Sequence, residues 1–416
     1  MSGDSTAIPS TGPTSTGPTS APPRLRWPLA TILANRGIAN TFIRFPYVLI
    51  TPLTLGLGIS LSTATALLGI RELGGLLAPI AGRQADRGHE RSTMVICGLL
   101  TAAGSAFATL GSNVVIFCVM MTIGGAAKIG SDSAQSAWVG HRVPFHGRGR
   151  ILGLTELSWG GAFLVGVPAC AWLTNDFGWQ APYIILGGAI ALSSVALRIV
   201  APRDEIIAVE DRRTGRWHPP RSSWGLFAYA FLQPFAQMMV FAVAGDWFVT
   251  AFGLSLSGLG TGALLIGVGE IVGTLATVWA ADHFGKKPST IAGLVPVIPA
   301  LLVLAWVGDN QILGVGLIVV GAIGFEFSFV SALPLFTEID PSARASAVSA
   351  TFAMATLSRA ISSALAGVIY VWGGIAANGA VAAFCLILGA VIVAFGVSEP
   401  GSSRVSRRRA LPIDPN

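Results

Sequence analysis

Charge is what this sequence has least of. Asp, Glu, Lys and Arg make up 11% of 416 residues, where a water-soluble chain carries about a quarter. With 52% of residues hydrophobic and a mean hydropathy of +0.69, there is too little polar surface to clothe the apolar bulk in water. A soluble globule is excluded, and lipid must act as the solvent. Cysteine is sparse too. Cys97, Cys118, Cys170 and Cys385 all lie inside apolar runs, with no CxxC pair and no Cys/His ligand spacing, which excludes a disulfide scaffold or zinc module and leaves plain buried thiols. No Walker-type phosphate loop, His/Glu metal pair or nucleophile elbow occurs between the apolar runs. ATP-driven transport and membrane hydrolysis therefore lack their chemistry, and no cofactor or metal is expected. No basic opening leads into a short apolar core and cleavage site, so a removable signal peptide is not expected. The net charge of +6 is spread over short segments rather than gathered into one basic domain, so nucleic acid is not an expected partner.

Long apolar runs are abundant. Requiring about 20 apolar residues per span places spans 1 to 6 near 33–54, 62–81, 92–110, 113–136, 151–172 and 181–200, and spans 7 to 12 near 225–250, 258–280, 289–307, 312–334, 346–371 and 376–396. The expected organisation is a tail over 1–27, a six-helix bundle over 28–201, a polar linker over 202–224, a second six-helix bundle over 225–397 and a tail over 398–416. The first tail contains Ser10-Thr11-Gly12-Pro13-Thr14 and Ser15-Thr16-Gly17-Pro18-Thr19, a composition that cannot bury enough surface to order itself. The turns near 55–61, 111–112, 174–180, 252–257, 308–311 and 373–375 hold no Lys or Arg. The alternate segments hold Arg83, Arg87, Arg91, Arg142, Arg148, Arg150, the Arg203 to Arg221 cluster, Lys286, Lys287, Arg344 and Arg404 to Arg409. Positive charge is retained on the cytoplasmic side, so both termini are expected there, in a plasma or inner membrane. Trp138, Trp172, Trp179, Trp224, Trp247, Trp306 and Trp372 fall near span ends, where amphipathic rings anchor at the interface.

The chain repeats itself. Asp86 and Asp282, in the loops after spans 2 and 8, are 196 residues apart, and Pro144 and Pro341, in the loops after spans 4 and 10, are 197 apart. Two independent loops at one offset indicate two homologous halves, a layout that puts the substrate site between them near mid-membrane. The first of these loops resembles that of the major facilitator superfamily, G-x-x-x-D-R-x-G-[RK]-[RK], at Gly82, Asp86, Arg87 and Arg91. It departs at His89, where the family has Gly, and at Glu90, where it has a base. The second copy keeps Asp282, Gly285, Lys286 and Lys287, with His283 in place of Arg. The resemblance covers about residues 28–400 and implies an all-α membrane fold of two six-helix bundles related by a pseudo-two-fold axis around a central cavity. It also implies that these loop charges lock neighbouring helices on the cytoplasmic side and release them during transport.

Span 5 is similar to the antiporter signature of the same superfamily, a glycine-rich stretch ending in Gly-Pro. Gly160, Gly161, Gly166 and Pro168 are present, with Val167 between the last two. This points to the drug and metabolite efflux (DHA1-like) type, while close helix packing by small residues is the plainer reading.

Ionisable side chains at mid-membrane cost about 3 kcal/mol each and face a cavity or a partner when retained. Span 2 holds Arg71 and Glu72, span 4 Lys128 and Asp132, span 5 Glu156, span 8 Glu270, span 10 Glu326 and span 11 Arg359. Arg44 and Asp246 are expected nearer the two faces. Glu72 and Glu270, near the middle of their spans, are the preferred proton carriers over Glu156. Arg71 and Arg359 suit either the binding of an anionic substrate group or the role of holding those carboxylates ionised. Lys128 and Asp132, four apart, share a helix face and can pair with each other. At the repeat offset Lys128 falls beside Glu326, which suggests an interhelical pair. The sequence thus points to a monomeric, lipid-embedded secondary transporter of a small molecule, a proton-coupled exporter working by alternating access. Import by proton or sodium symport shares the same architecture, and a membrane enzyme or a non-transporting sensor fits the scattered charges less well.

Overall fold

The computed structural model describes residues 25–143, 154–155, 157–204, 219–339 and 344–397, without the side chains at 78–79, 82, 86, 140, 222, 278, 281–282 and 344–346. The two tails apart from residues 25–27, most of the linker, Pro144, Arg148, Arg150, Glu156 and Pro341 lie outside the described residues, as do the side chains of Gly82, Asp86, Asp282 and Arg344.

Helical structure falls at all twelve expected stretches. The first half comprises α1 (Arg26–Val48, continued by Ile50–Leu57), α2 (Leu61–Leu73, a 3-10 turn Gly74–Leu77, then Ala78–Asp86), α3 (Glu90–Phe107), α4 (Val114–Arg142), α5 (Leu157–Phe177) and α6 (Ala181–Val200). The second comprises α7 (Trp224–Phe252), α8 (Leu256–Phe284), α9 (Lys286–Val303) and α10 (Gln311–Thr337). It ends with α11 and α12, the two arms of Arg344–Gly396 on either side of Gly373 and Gly374, whose backbone is not helical. Among the described residues eight helices are long and apolar enough to cross a membrane, or nine if the two pieces of α1, bent by 75°, count as one span.

Two expected spans are broken, for local reasons. In α1, Leu49 leaves the helical region (φ −98°, ψ 38°) between Pro46 and Pro52, residues that lack the N–H a continuous helix needs. In α2 the sequence Gly74-Gly75 tightens into a 3-10 turn before Pro79 restarts the helix. The basic-free turns carry side-chain caps instead. Asn113 accepts from Val115 and Ile116 N–H groups at 2.9 and 3.1 Å, and Asn310, 197 residues later, accepts from Leu313 N–H at 3.0 Å. These caps occupy orphan donors at the starts of α4 and α10.

One hydrophobic core runs through both halves, while large apolar side chains such as Phe395 (89% exposed) and Ile312 (87%) face outward, as a lipid solvent permits. The halves meet along α2 against α11, α5 against α8 and α1 against α7. Glycine sets the closeness of these seams. A Cβ on Gly69 would sit 2.6 Å from the Ala360 carbonyl oxygen of α11, and one on Gly267 would sit 2.7 Å from Leu164 N of α5. Gly69→Val should therefore force α2 from α11 and lower stability by roughly 1–3 kcal/mol. Gly161→Ala, where a Cβ meets nothing within 4 Å, should leave it unchanged. Thermal unfolding of the purified protein in detergent checks both, and equal midpoints would contradict the seam.

Candidate functional site: two ion pairs between the halves

Near the middle of the bundle, opposite charges meet across the seam. Arg44 of α1 is buried and makes a two-pronged contact with Glu270 of α8, Nη1 donating to Oε2 at 2.6 Å and Nη2 to Oε1. Nη1 also donates to the Trp159 carbonyl at 2.9 Å, and the guanidinium lies 3.6 Å from the Phe163 ring centroid and 4.6 Å from that of Trp159. This is the strong form of the contact, with planar donors matched to a carboxylate and an aromatic wall excluding water. The second pair is a triad. Glu72 of α2 accepts from Arg71 Nη2 at 2.7 Å within its own helix and from Arg359 Nε of α11 at 3.3 Å. Tyr47 hydroxyl donates to Glu72 Oε1 at 3.5 Å, and Ser363 hydroxyl donates to Tyr47 at 3.2 Å.

Glu72 on α2 and Glu270 on α8 lie on corresponding helices of the two halves, 198 residues apart where the flanking loops repeat at 196, and their arginine partners come from unrelated helices. Both carboxylates are paired by an arginine of the opposite half. Breaking such a buried pair leaves an uncompensated charge, whereas protonating the carboxylate removes it.

The remaining intramembrane charges make further contacts. Lys128 donates to Asp132 Oδ2 at 2.6 Å, with Arg36 4.0 Å from Asp132 and the Lys128 ammonium 5.2 Å from the Trp159 ring centroid. Glu326 accepts from Thr274 at 3.3 Å, one turn along α8 from Glu270. Asp246 accepts from Thr51 at 3.2 Å, a further contact between α7 and α1.

The loop motifs build a second constellation at the face nearest the termini. Arg91 at the start of α3 donates to the carbonyl of Arg198 at the end of α6. Lys287 at the start of α9 donates to the carbonyls of Ala394 and Val397 at the end of α12, at 2.8 and 2.7 Å. Both bases thus neutralise the negative end of a helix, and Arg91 to Lys287 and Arg198 to Ala394 are each 196 residues. Glu90, whose side chain is 2% exposed, accepts from His141 and, at 3.2 Å, from Arg142 at the end of α4. Lys286 donates to Glu338 at the end of α10 at 2.6 Å. Glu90 to Lys286 and Arg142 to Glu338 are again 196 residues, so the same clasp recurs with its charges exchanged. Asp204 adds a cap to α3, accepting from the Arg91 and Ser92 N–H groups at 2.7 and 3.1 Å.

These contacts account for both departures of the first loop from the family pattern. Glu90 stands where a base is usual because its partner in α4 is basic. His89 stands where glycine is usual because Gly88 takes the left-handed turn (φ 87°), matching Gly285 (φ 88°) in the second copy, a conformation that favours glycine. Arg87 is exposed at the end of α2.

The family model described as Major Facilitator Superfamily matches this chain over residues 32–338 and again over 226–415. The chain belongs to that superfamily. It is similar to YwfA of Bacillus subtilis (strain 168), an uncharacterised MFS-type transporter, at 21% identity over 338 residues, covering 78% of this chain and 80% of the relative. Among solved structures, a bacterial homologue of the human lysosomal transporter Spinster, inward-facing and occupied, superposes with a TM-score of 0.71 at 14% identity, covering 91% of this chain and 96% of that one. A D-xylose–proton symporter superposes with a TM-score of 0.72 at 18% identity, covering 90% and 97%. At these identities the likeness is one of fold. The protein is an MFS transporter, multi-pass in a membrane.

In this MFS transporter the sequence-predicted residues divide between the two constellations. Arg71, Glu72 and Arg359 come together, and Glu270 sits in the companion pair. Arg44 was expected near a face, and this is corrected. Arg44 is buried against Glu270, itself expected near the middle of span 8. Its aromatic neighbours on α5 gave no signal in the spacing. In α5 itself, Ala162–Gly166 forms a π turn ahead of Pro168, which cannot donate to a preceding carbonyl. Gly166 lies against Thr41 of α1, and a Cβ on Gly160 would meet Ile271 of α8 at 3.0 Å.

The exchanged clasp yields a test. Glu90→Ala should lower stability by about 3–5 kcal/mol, since it strips a buried carboxylate from its partners. Lys286→Ala, whose pair is about a third exposed, should lower it by less than about 1 kcal/mol. The double variant Glu90→Lys with Arg142→Glu, copying the polarity of the second half, should recover most of the loss of Glu90→Lys alone in thermal unfolding. No recovery would sink the repeat-related clasp.

Proposed function

We propose that this transporter couples solute movement to protons at Glu72 and Glu270, and that it exports small organic molecules in exchange for protons by alternating access. The observation that carries the reading is the pair of carboxylates on α2 and α8, corresponding helices of the two halves, each tied to an arginine of the other half. An ionised glutamate holds the halves together at mid-membrane, because separating the pair would strand two charges in a low dielectric. Protonation neutralises the glutamate and lowers that penalty, so proton occupancy biases the rocking of one half against the other. Gradient energy then enters through the same groups that close the seam.

Export is supported by the glycine-containing stretch of α5, in which a π turn lies between Gly160-Gly161 and Pro168 and faces α8 of the other half. The basic residues at the face nearest the termini support a cytoplasmic placement of both ends and a plasma or inner membrane location. The central pairs are complete within one chain, which supports a monomer as the working unit. We assign Lys128, Asp132 and Glu326 to the walls of the same pathway, and the loop residues Gly82, Asp86, Arg87, Arg91, Asp282, Gly285, Lys286 and Lys287 to its cytoplasmic closure.

The test is flux in proteoliposomes carrying trapped pyranine, with a radiolabelled panel of small organic cations, neutrals and acids. An imposed pH gradient should drive at least one panel member through the wild type. Glu72→Gln and Glu270→Gln should each reduce net flux at least tenfold while retaining counterflow exchange, which needs no net proton movement. Equal net flux in wild type and both variants would overturn proton coupling at these sites. In energised cells, lower accumulation of the transported compound marks export, and higher accumulation marks import.

A further inference from the structure

We propose that the transported solute carries a carboxylate or an equivalent monoanionic group, docked on Arg359 in the positive field of Arg71. The proposal rests on the reading of the central cleft as the transport pathway and names the substrate class that the cleft selects. Within the triad two guanidinium groups face one carboxylate, so a full positive charge is left over. It is placed where leaving it so is most expensive, since Arg71 is 1% exposed. Of its three nitrogens, Nη2 bonds Glu72, and Nε and Nη1 are buried without a hydrogen-bond partner, although buried guanidinium donors are ordinarily satisfied.

The repeat shows that this excess is not a requirement of the fold. At the loop offset of 196 Arg71 falls on Gly267 and Glu72 on Val268, with Glu270 two residues further along α8. In that half a single arginine, Arg44, satisfies Glu270 with both terminal nitrogens. The second guanidinium, bonded to Glu72 by one nitrogen and 5.1 Å from the Tyr47 ring centroid, is therefore an addition on the first half's side of the seam. Arg359 makes the charge reachable. It uses Nε for Glu72 and Nη2 for Thr356 at 3.3 Å, and its side chain stays 27% exposed. An acid on the open edge of Arg359 would complete the alternating row Arg71, Glu72, Arg359, solute, in which every buried charge has an opposite neighbour. A neutral solute would leave the excess in place, and a cationic one would add to it.

The experiment uses the full-length protein in detergent, with matched pairs differing only in charge: benzoate and benzamide, octanoate and octanamide, and the cation benzylammonium. Binding is read by thermal shift and equilibrium dialysis. At least one acid should bind at least tenfold more tightly than its amide and than the cation. Arg359→Gln should weaken that acid at least tenfold, and Arg71→Gln should weaken it by a smaller factor, while Arg359→Lys, which keeps the charge, should retain part of the affinity. Dialysis of Arg44→Lys reports whether loss at the other pair mimics the effect, and an equal loss there would overturn the assignment to Arg359. Acids that bind no better than their amides, or not at all, would also overturn it. Acids that bind through Arg359 but are moved by no gradient would uphold this inference and refute proton-coupled transport, so the two proposals fail separately.

Discussion

A carboxylate buried in a lipid-embedded bundle has few stable choices, and the architecture follows from that constraint. It can be neutral, or it can be ionised beside a cation whose donors fit it. Glu270 and Glu72 each lie beside such a cation, and for each one such cation belongs to the opposite six-helix half. The tie between the halves is thus electrostatic at its centre and steric along its length, where glycines bring α2 to α11 and α5 to α8. A wholly apolar seam would be set by packing alone. A seam stitched by carboxylates has a switch, because one proton changes the charge of the stitch.

Duplication supplies the frame for this switch. The caps at Asn113 and Asn310, the left-handed glycines Gly88 and Gly285, and the bases Arg91 and Lys287 on the last helix of each half recur at offsets of 196 or 197. These local contacts cap helix starts, shape turns and, through Arg91 and Lys287, tie the third helix of each half to its last. The clasp between Glu90 and Arg142 and that between Lys286 and Glu338 show what duplication conserves. The requirement is an opposite-sign pair between the two helix ends, and which end holds the acid is free to change.

Most of the fold was legible because membrane insertion writes it in coarse symbols. Apolar length located the helices, and Asp86 with Asp282 revealed the repeat. What escaped were features with no one-dimensional signature. The breaks at Leu49 and Gly74 arise where prolines lack an N–H and paired glycines free the backbone, which an apolar count ignores. Arg44 was misplaced because nothing in the apolar count points to its partner Glu270, and its aromatic cage comes from Trp159 and Phe163 more than a hundred residues away. Glu72, Arg71 and Arg359 were visible as intramembrane charges, but only the fold shows that both arginines meet on one carboxylate. Glu90 read as a lapse from the family pattern until its partners on α4 came into view.

The two central pairs are unequal, and the inequality gives the proposed cycle an order. Arg44 meets Glu270 with two prongs against an aromatic wall, a balanced contact with little left over for a ligand. Arg359 meets Glu72 by one longer bond and remains partly exposed, and Arg71 behind it carries unsatisfied donors. A solute entering the cleft therefore perturbs the Glu72 side first, where a guanidinium can be reached and where an added negative charge lowers the energy of the whole row. The Glu270 side changes state when its carboxylate is neutralised, because no partial displacement satisfies a two-pronged arginine sealed from water. On this reading both acids take protons, and the Glu72 side also senses cargo. The asymmetry of their arginines, drawn from α1 on one side and from α2 and α11 on the other, is what allows acids on corresponding helices to play different parts.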